Sequence, residues 1–239
     1  MAVIEWKKEN NVAIVEMCNG QNRMNQAFAE SINQCLDEVL EDADIQAMVL
    51  TSTDEKNFSQ GIDVEWIGGK LHAQENQAVI SFMYAMNNIF KRLLLFPVPV
   101  IAAINGHAYG NGAILSCACD FRFMRKDRGF FCFPEVDVSI PFLPGMIGFV
   151  RKAIPENLFN QMLLSGQRVA AIELETAKVI VKACDQETLM TEAIAFANSF
   201  AKKRGIFQEL KERMHKKLVR IIDEEDPEFI DALNLFVAD

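Results

Sequence analysis

The chain has 239 residues, half of them hydrophobic and about a quarter charged, a globular balance with apolar material for a sizeable core and nothing that reads as disordered. Its 24 Lys and Arg against 33 Asp and Glu give a formal charge of −9, which argues against nucleic acid as a partner, although a local basic cluster can still hold an anionic ligand. The N-terminal residues have no apolar core of signal-peptide length, no apolar run is long enough for a membrane span, and the final FVAD is not a Ser-Lys-Leu-type address, so a cytoplasmic protein with no membrane partner is expected.

In chain order, residues 11–17 alternate as a strand, with Val12, Ile14 and Glu16 facing one way and Ala13, Val15 and Met17 the other. Asn25 is a good N-cap for a helix over 26–42 that puts Phe28, Ile32, Leu36, Val39 and Leu40 on one face. Residues 47–52 form a continuous apolar strand, as in a sheet buried on both faces. A polar turn at 57–64 leads to a helix that Asp63 can cap, and a long helix runs over 75–96. Strands follow at 99–104 and 120–124, and strands separated by helices imply parallel crossovers. Beyond about residue 142 strand signals mostly vanish, and helices are predicted over 153–164, 172–181, 187–203, 207–222 and 227–236. No Gly/Ser-rich linker marks the change, so one core with a helical tail is expected. The six cysteines should be reduced, and Cys117 and Cys119 read as part of a buried helix rather than a metal site.

Three segments carry chemistry. In 57–64, NFSQGIDV, Gly61 permits a backbone conformation closed to other residues, and the turn leaves N–H groups free at a helix start, where they suit an anion. In 104–115, INGHAYGNGAIL, a buried strand enters a second glycine turn and a helix; close helix–strand packing explains this pattern as well as a site does. In 130–136, FFCFPEV, Glu135 follows aromatics and a proline, a setting that raises a carboxyl pKa toward that of a general base near neutral pH; a carboxylate capping a turn at the surface is the plainer reading.

These segments in this order, with 97–108 (PVPVIAAINGHA), 119–123 (CDFRF), the IPxxPG pattern at 140–145 and LSGQRV at 164–169, resemble the enoyl-CoA hydratase/isomerase (crotonase) superfamily from residue 23 to about 181, and the 123–129 stretch resembles its 3-enoyl-CoA isomerases most. The resemblance implies an α/β fold, a crotonase-like spiral of β-β-α units over 1–185 with the acyl-CoA site, and C-terminal helices over 186–239 of the same unit that build a homotrimer or hexamer. It implies an oxyanion hole at the Ile62 and Asn111 N–H groups and Glu135 as base, all three catalytic. It places Gln60 and Gly61 at the CoA adenine, Asp63 and Gly110 beside them, and Arg23 and Lys56 as candidates for CoA phosphates. No cofactor is expected, because coenzyme A arrives as the substrate's thioester.

Two departures from the family pattern stand out. Hydratases carry a second glutamate where this chain has Ile114, so one base remains, enough to move a proton from C2 to C4 of a 3-enoyl-CoA. The family commonly has glycine, for left-handed backbone at a helix end, where this chain has Lys178. The competing readings are a hydratase that recruits Asp137, another acyl-CoA reaction such as thioester hydrolysis, and a non-catalytic acyl-CoA-binding protein. Trp66, Phe82, Tyr84 and Phe90 read as core or pocket packing, Met83 and Met86 as core, and His107 as structural. Asp137 reads as a solvated turn residue, and the charges at 202–204 and 211–220 as a solvated helix face.

Overall fold

The alternation in the first predicted strand separates two apolar layers. In the computed structural model, which describes residues 3–200 and 202–237, β1 (Ile4–Glu9) pairs antiparallel with β2 (Val12–Met17). Ala13, Val15 and Met17 enter the main core, while Val12 joins a second cluster on the opposite face. β3 (Ala47–Ser52), β5 (Val100–Ile104), β7 (Phe121–Arg125) and β9 (Lys182–Cys184) extend the sheet in parallel, in the order β1-β2-β3-β5-β7-β9. A second, three-stranded parallel sheet consists of β4 (Asn57–Ser59), β6 (His107–Tyr109) and β8 (Phe131–Cys132). Successive strand pairs thus step along two sheets, which is the expected spiral of β-β-α units.

Helices close each step. α1 (Gln26–Glu41) buries Phe28, Ile32, Leu36 and Val39, each contributing roughly 1.5–3 kcal/mol of apolar transfer, and Asn25 Oδ1 accepts from Phe28 N at 3.2 Å. α2 (Val64–His72) is capped by Asp63, which accepts from Trp66 N at 3.1 Å. α3 (Asn76–Leu95) is a long core helix, and α4 (Asn111–Ala118) is buried along its whole length. All six cysteines are free, and burial pushes the Cys117 and Cys119 thiols up to about 11 and about 12, the state of inert core residues. No cluster of three or more metal-ligating side chains occurs among the described residues.

The C-terminal third departs from the sequence reading. The predicted 153–164 helix is instead the meeting of α5 (Pro144–Ala153) and α6 (Glu156–Ser165), broken at Pro155, because proline disfavours helical backbone in the residue before it. The predicted 172–181 helix stops early as α7 (Ala171–Thr176), and Lys178 takes φ 59° before β9 begins. A lysine therefore holds the left-handed position expected there. α8 (Gln186–Asn198) covers the sheet's second face with Leu189, Ala193 and Ala197; residue 201, within the predicted 187–203 helix, lies outside the described residues. α9 (Arg204–Glu224) and α10 (Asp226–Asp231) are the last helices among the described residues, and the predicted 227–236 helix stops at Asp231, leaving a non-helical tail.

The basic stretch on α9 is only partly a solvated face. Lys211 is buried, with Nζ 2.6 Å from Asp120 Oδ2 and donating to the Val98 carbonyl at 3.2 Å. Arg204 donates to the Leu40 and Asp42 carbonyls at the end of α1. His215, one turn beyond Lys211, is buried, and desolvation holds its imidazole down to about 4, so it stays neutral. Lys211 thus ties the helix to the residues that precede β5 and β7, and Arg204 ties its start to the end of α1. No helix among the described residues is long and apolar enough to cross a membrane.

Candidate active site

Two turns and one carboxyl meet at a cavity of about 240 Å³. The first turn connects β4 to α2. Gly61 adopts φ 80°, and its carbonyl accepts from Met24 N at 2.8 Å, while Asp63 N donates to the Met24 carbonyl at 2.9 Å. That parallel bridge leaves the Ile62 N–H on the other side of the strand, without an acceptor among the described residues. The second turn connects β6 to α4. Gly110 has φ 50°, its N–H donates to the Cys132 carbonyl at 3.0 Å, and its carbonyl accepts from Ile114 N. Asn111, the first residue of α4, likewise has an N–H with no acceptor among the described residues, as the first turn of any helix does unless a cap or ligand intervenes.

Glycine is required at both turns for space as well as for dihedral angle. A Cβ on Gly61 would lie 2.8 Å from the Tyr109 carbonyl oxygen and 3.1 Å from Asn111 N, so the turns are in direct contact. A Cβ on Gly110 would lie 3.0 Å from Glu135 Oε1. Gly112 lets α4 approach β4, since a Cβ there would sit 2.5 Å from the Ser59 carbonyl oxygen. Helix packing and site geometry are here the same construction.

Glu135 stands on a 3₁₀ turn (Pro134–Val136) after buried Phe131 and Phe133. The turn is tied down by its own backbone, because the Glu135 carbonyl accepts from Ile140 N at 3.0 Å. The side chain points inward, and Oε2 is buried with no hydrogen-bond partner. Removal from water pushes the carboxyl up to about 8. A buried acceptor without a partner costs stability, and such groups concentrate where chemistry needs them. Among the described lining residues Glu135 is the one carboxylate and Arg23 the one cation.

The other predicted residues divide. Gln60, Gly61, Ile62, Gly110, Asn111 and Arg23 line the cavity together with Glu135, and Arg23 sits with its guanidinium 3.8 Å from Glu65. Lys56 is exposed and outside the lining; its part in the structure is a backbone carbonyl that accepts from His107 N at 2.8 Å. Asp63 is also outside the lining, spent on capping α2 and on Asn25 Nδ2 at 3.2 Å. His107 Nδ1 accepts from Phe130 N, a structural role. Asp137 turns toward Gly166 and does not reach the cavity. Tyr84 is neither core nor pocket, being 38% exposed with Oη donating to Asp231 at 2.8 Å.

Apolar residues fill the rest of the lining. Ile67, Met83 and Ile114 come from α2, α3 and α4, so Met83 is both core and wall. Val138, Ile140, Phe142 and Leu143 come from the loop after Glu135, and Leu235 and Phe236 from beyond α10. The sequence reading missed these last two, since distance along the chain gave no sign that the tail returns. Ile114, one helical turn from Asn111, is buried and presents an apolar side chain to the cavity.

A two-sheet β-β-α spiral whose glycine turns and lone carboxyl converge on an apolar cavity is the crotonase fold. The solved structure of an enoyl-CoA hydratase/isomerase family protein from Pseudomonas syringae superposes with a TM-score of 0.87 at 19% identity, over 96% of this chain and 97% of that one. An Mtb enoyl-CoA isomerase superposes with 0.85 at 20% identity, over 97% and 98%. The chain belongs to the enoyl-CoA hydratase/isomerase family, whose model matches residues 7–226. Among its relatives, the mitochondrial enoyl-CoA hydratase of Pongo abelii is 30% identical over 207 residues, 83% of this chain and 67% of that protein. Enoyl-CoA delta isomerase 3 of Arabidopsis thaliana is 27% identical over 187 residues, 74% and 76% respectively.

Proposed function

We propose that this enzyme moves the double bond of a 3-enoyl-CoA to the 2-position, with Glu135 as the single base. The observation that carries the reading is the lone carboxyl: among the described residues one glutamate lines the cavity, and in this reading Ile114 stands where hydration would require a second. The thioester oxygen accepts from the Ile62 and Asn111 N–H groups. Glu135 takes a proton from C2; the C–H electron pair becomes the enolate, and its negative charge falls on the oxygen between the two donors. Glu135 then returns the proton to C4, where the C3–C4 π pair forms the new C–H bond; the enolate's C1–C2 pair becomes the C2–C3 double bond, and the oxygen's pair re-forms the thioester carbonyl. Proton and electrons balance without water or a redox partner. Donors set in place beforehand in a dry pocket stabilise the enolate, and loss of one such donor costs roughly 10²–10³ in rate. A carboxyl raised to about 8 is also a stronger base than one in water.

Arg23, Gln60 and Gly61 of the lining are the residues in this reading for the CoA moiety, and a trimer built on the C-terminal helices is its assembly. The deciding experiment follows ultraviolet absorbance of the conjugated thioester with 3-hexenoyl-CoA and, in parallel, 2-hexenoyl-CoA. A rise with the first and no loss with the second is expected. Loss with the second means hydration and overturns the single-base reading, while silence in both with CoA binding intact means another acyl-CoA reaction or a binding protein.

A further inference from the structure

The tail beyond α10 returns to the cavity and forms part of its wall. Leu235 is buried and lines the cavity, and Val237 N donates to the Ser139 carbonyl at 2.9 Å. Ser139 lies in the loop that follows Glu135 and holds φ 56°, a left-handed conformation that a serine keeps only when its surroundings fix it. The root of this strap is fastened as firmly. Asp226, fully buried, accepts from Gly145 N at 2.8 Å and from Asn87 Nδ2 at 2.9 Å. Tyr84 Oη holds Asp231, and Ile230 is buried between these anchors. A Cβ on Gly145 would lie 2.7 Å from Asp226 Oδ2, so α5 has a glycine where the strap's root presses on it.

We infer that the strap, through the Leu235 side chain, is the wall that sets the longest acyl chain this cavity accepts. The inference rests on the acyl-CoA reading above. The lining that Leu235 shares with Ile67, Met83 and Ile114 is apolar, so it takes a hydrocarbon chain rather than a polar one. Each methylene that enters such a space improves affinity about fourfold until the chain meets the wall, and then the gain stops. Leucine is long enough for its size to matter in both directions. Alanine removes three carbons from the wall, and phenylalanine extends it.

The test is calorimetric titration of the whole enzyme with saturated acyl-CoAs of four to fourteen carbons, which bind but offer no double bond to move. In the wild type the dissociation constant should fall about fourfold per methylene and then level off at one chain length. In L235A the levelling point should move at least two carbons longer, and in L235F to shorter chains. The same levelling point in all three proteins overturns the strap as the wall, whatever the reaction proves to be. No binding of any acyl-CoA to the wild type overturns the acyl-CoA reading and this inference with it. Binding by the stated pattern without isomerase activity leaves the strap standing and sinks only the reaction.

Discussion

Two carboxyl groups in this molecule have been taken out of water, and they have been treated in opposite ways. Burial raises Glu135 to about 8 and Asp226 to about 6. Asp226, at the junction of α9 and α10, has both oxygens answered, one by Gly145 N and one by Asn87 Nδ2. Glu135, in the loop after β8, has an oxygen answered by nothing, and it faces a cavity with two unspent backbone N–H groups. A raised pKa alone does not distinguish a working carboxyl from a structural one, because desolvation acts on both. Hydrogen-bond satisfaction does: a group whose lone pairs are all occupied holds the fold, and one left unpaired in a preformed pocket is available to a substrate.

The largest effect should come from breaking the active member of the pair. E135Q keeps the shape and removes the base, so kcat/KM should fall on the order of 10³-fold, the usual range for a general base. Calorimetry with a saturated acyl-CoA should show binding within a few-fold of wild type, and undiminished turnover would remove Glu135 from the mechanism. Next in size is the pH response. The base must be ionised to accept a proton, so kcat/KM should rise about tenfold per pH unit below about 8 and level off above it. A profile flat from pH 6 to 9 would mean that the carboxyl does not titrate in the reacting species.

The smallest effects should come from the satisfied carboxyl, and they should appear in stability. D226A leaves the Gly145 N–H and the Asn87 amide buried without a partner, a cost of about 2–3 kcal/mol read from urea unfolding. D226N should lose less than D226A, because its carbonyl can still accept from Gly145 N and, once the Asn87 amide turns over, its own amide can donate to the Asn87 oxygen that has no partner in the wild type. The sign of its pH dependence follows from burial. Asp226 binds its proton more tightly folded than unfolded, so its ionisation costs stability as pH rises from about 4 toward about 6, and D226N should gain on wild type over that interval. Equal losses in D226A and D226N would show that charge rather than hydrogen bonding holds the junction.

Much of this was legible in the chain because local pattern and tertiary role coincide. The period of 11–17 separates two core layers, Asn25 and Asp63 cap the helices they precede, and the glycines at 61 and 110 hold the positive φ that their turns require. The second sheet was not legible strand by strand, since its members are two or three residues long, too short to show any period. β1 buries only Ile4 and otherwise shows charged and half-exposed residues. Lys211 and Arg204 looked like surface charge, because an ion pair with Asp120 and bonds to distant carbonyls leave no trace in neighbouring residues. Lys56 stays outside the cavity lining, and what it offers the neighbouring segment is its backbone carbonyl.

The six unpaired thiols have a practical use. Cys18 alone is half-buried and the other five are sealed in, so a maleimide dye added to the native protein has one preferred address and the rest stay dark. Cys132 is the informative one of the sealed group, because its carbonyl receives the Gly110 N–H and its Sγ lies 3.2 Å from the Gly166 carbonyl oxygen. Modifying it requires that strand to come loose from the glycine turn. Its slow alkylation is therefore a clock for how often the floor beneath Glu135 breathes open, readable by mass spectrometry without any label built into the chain.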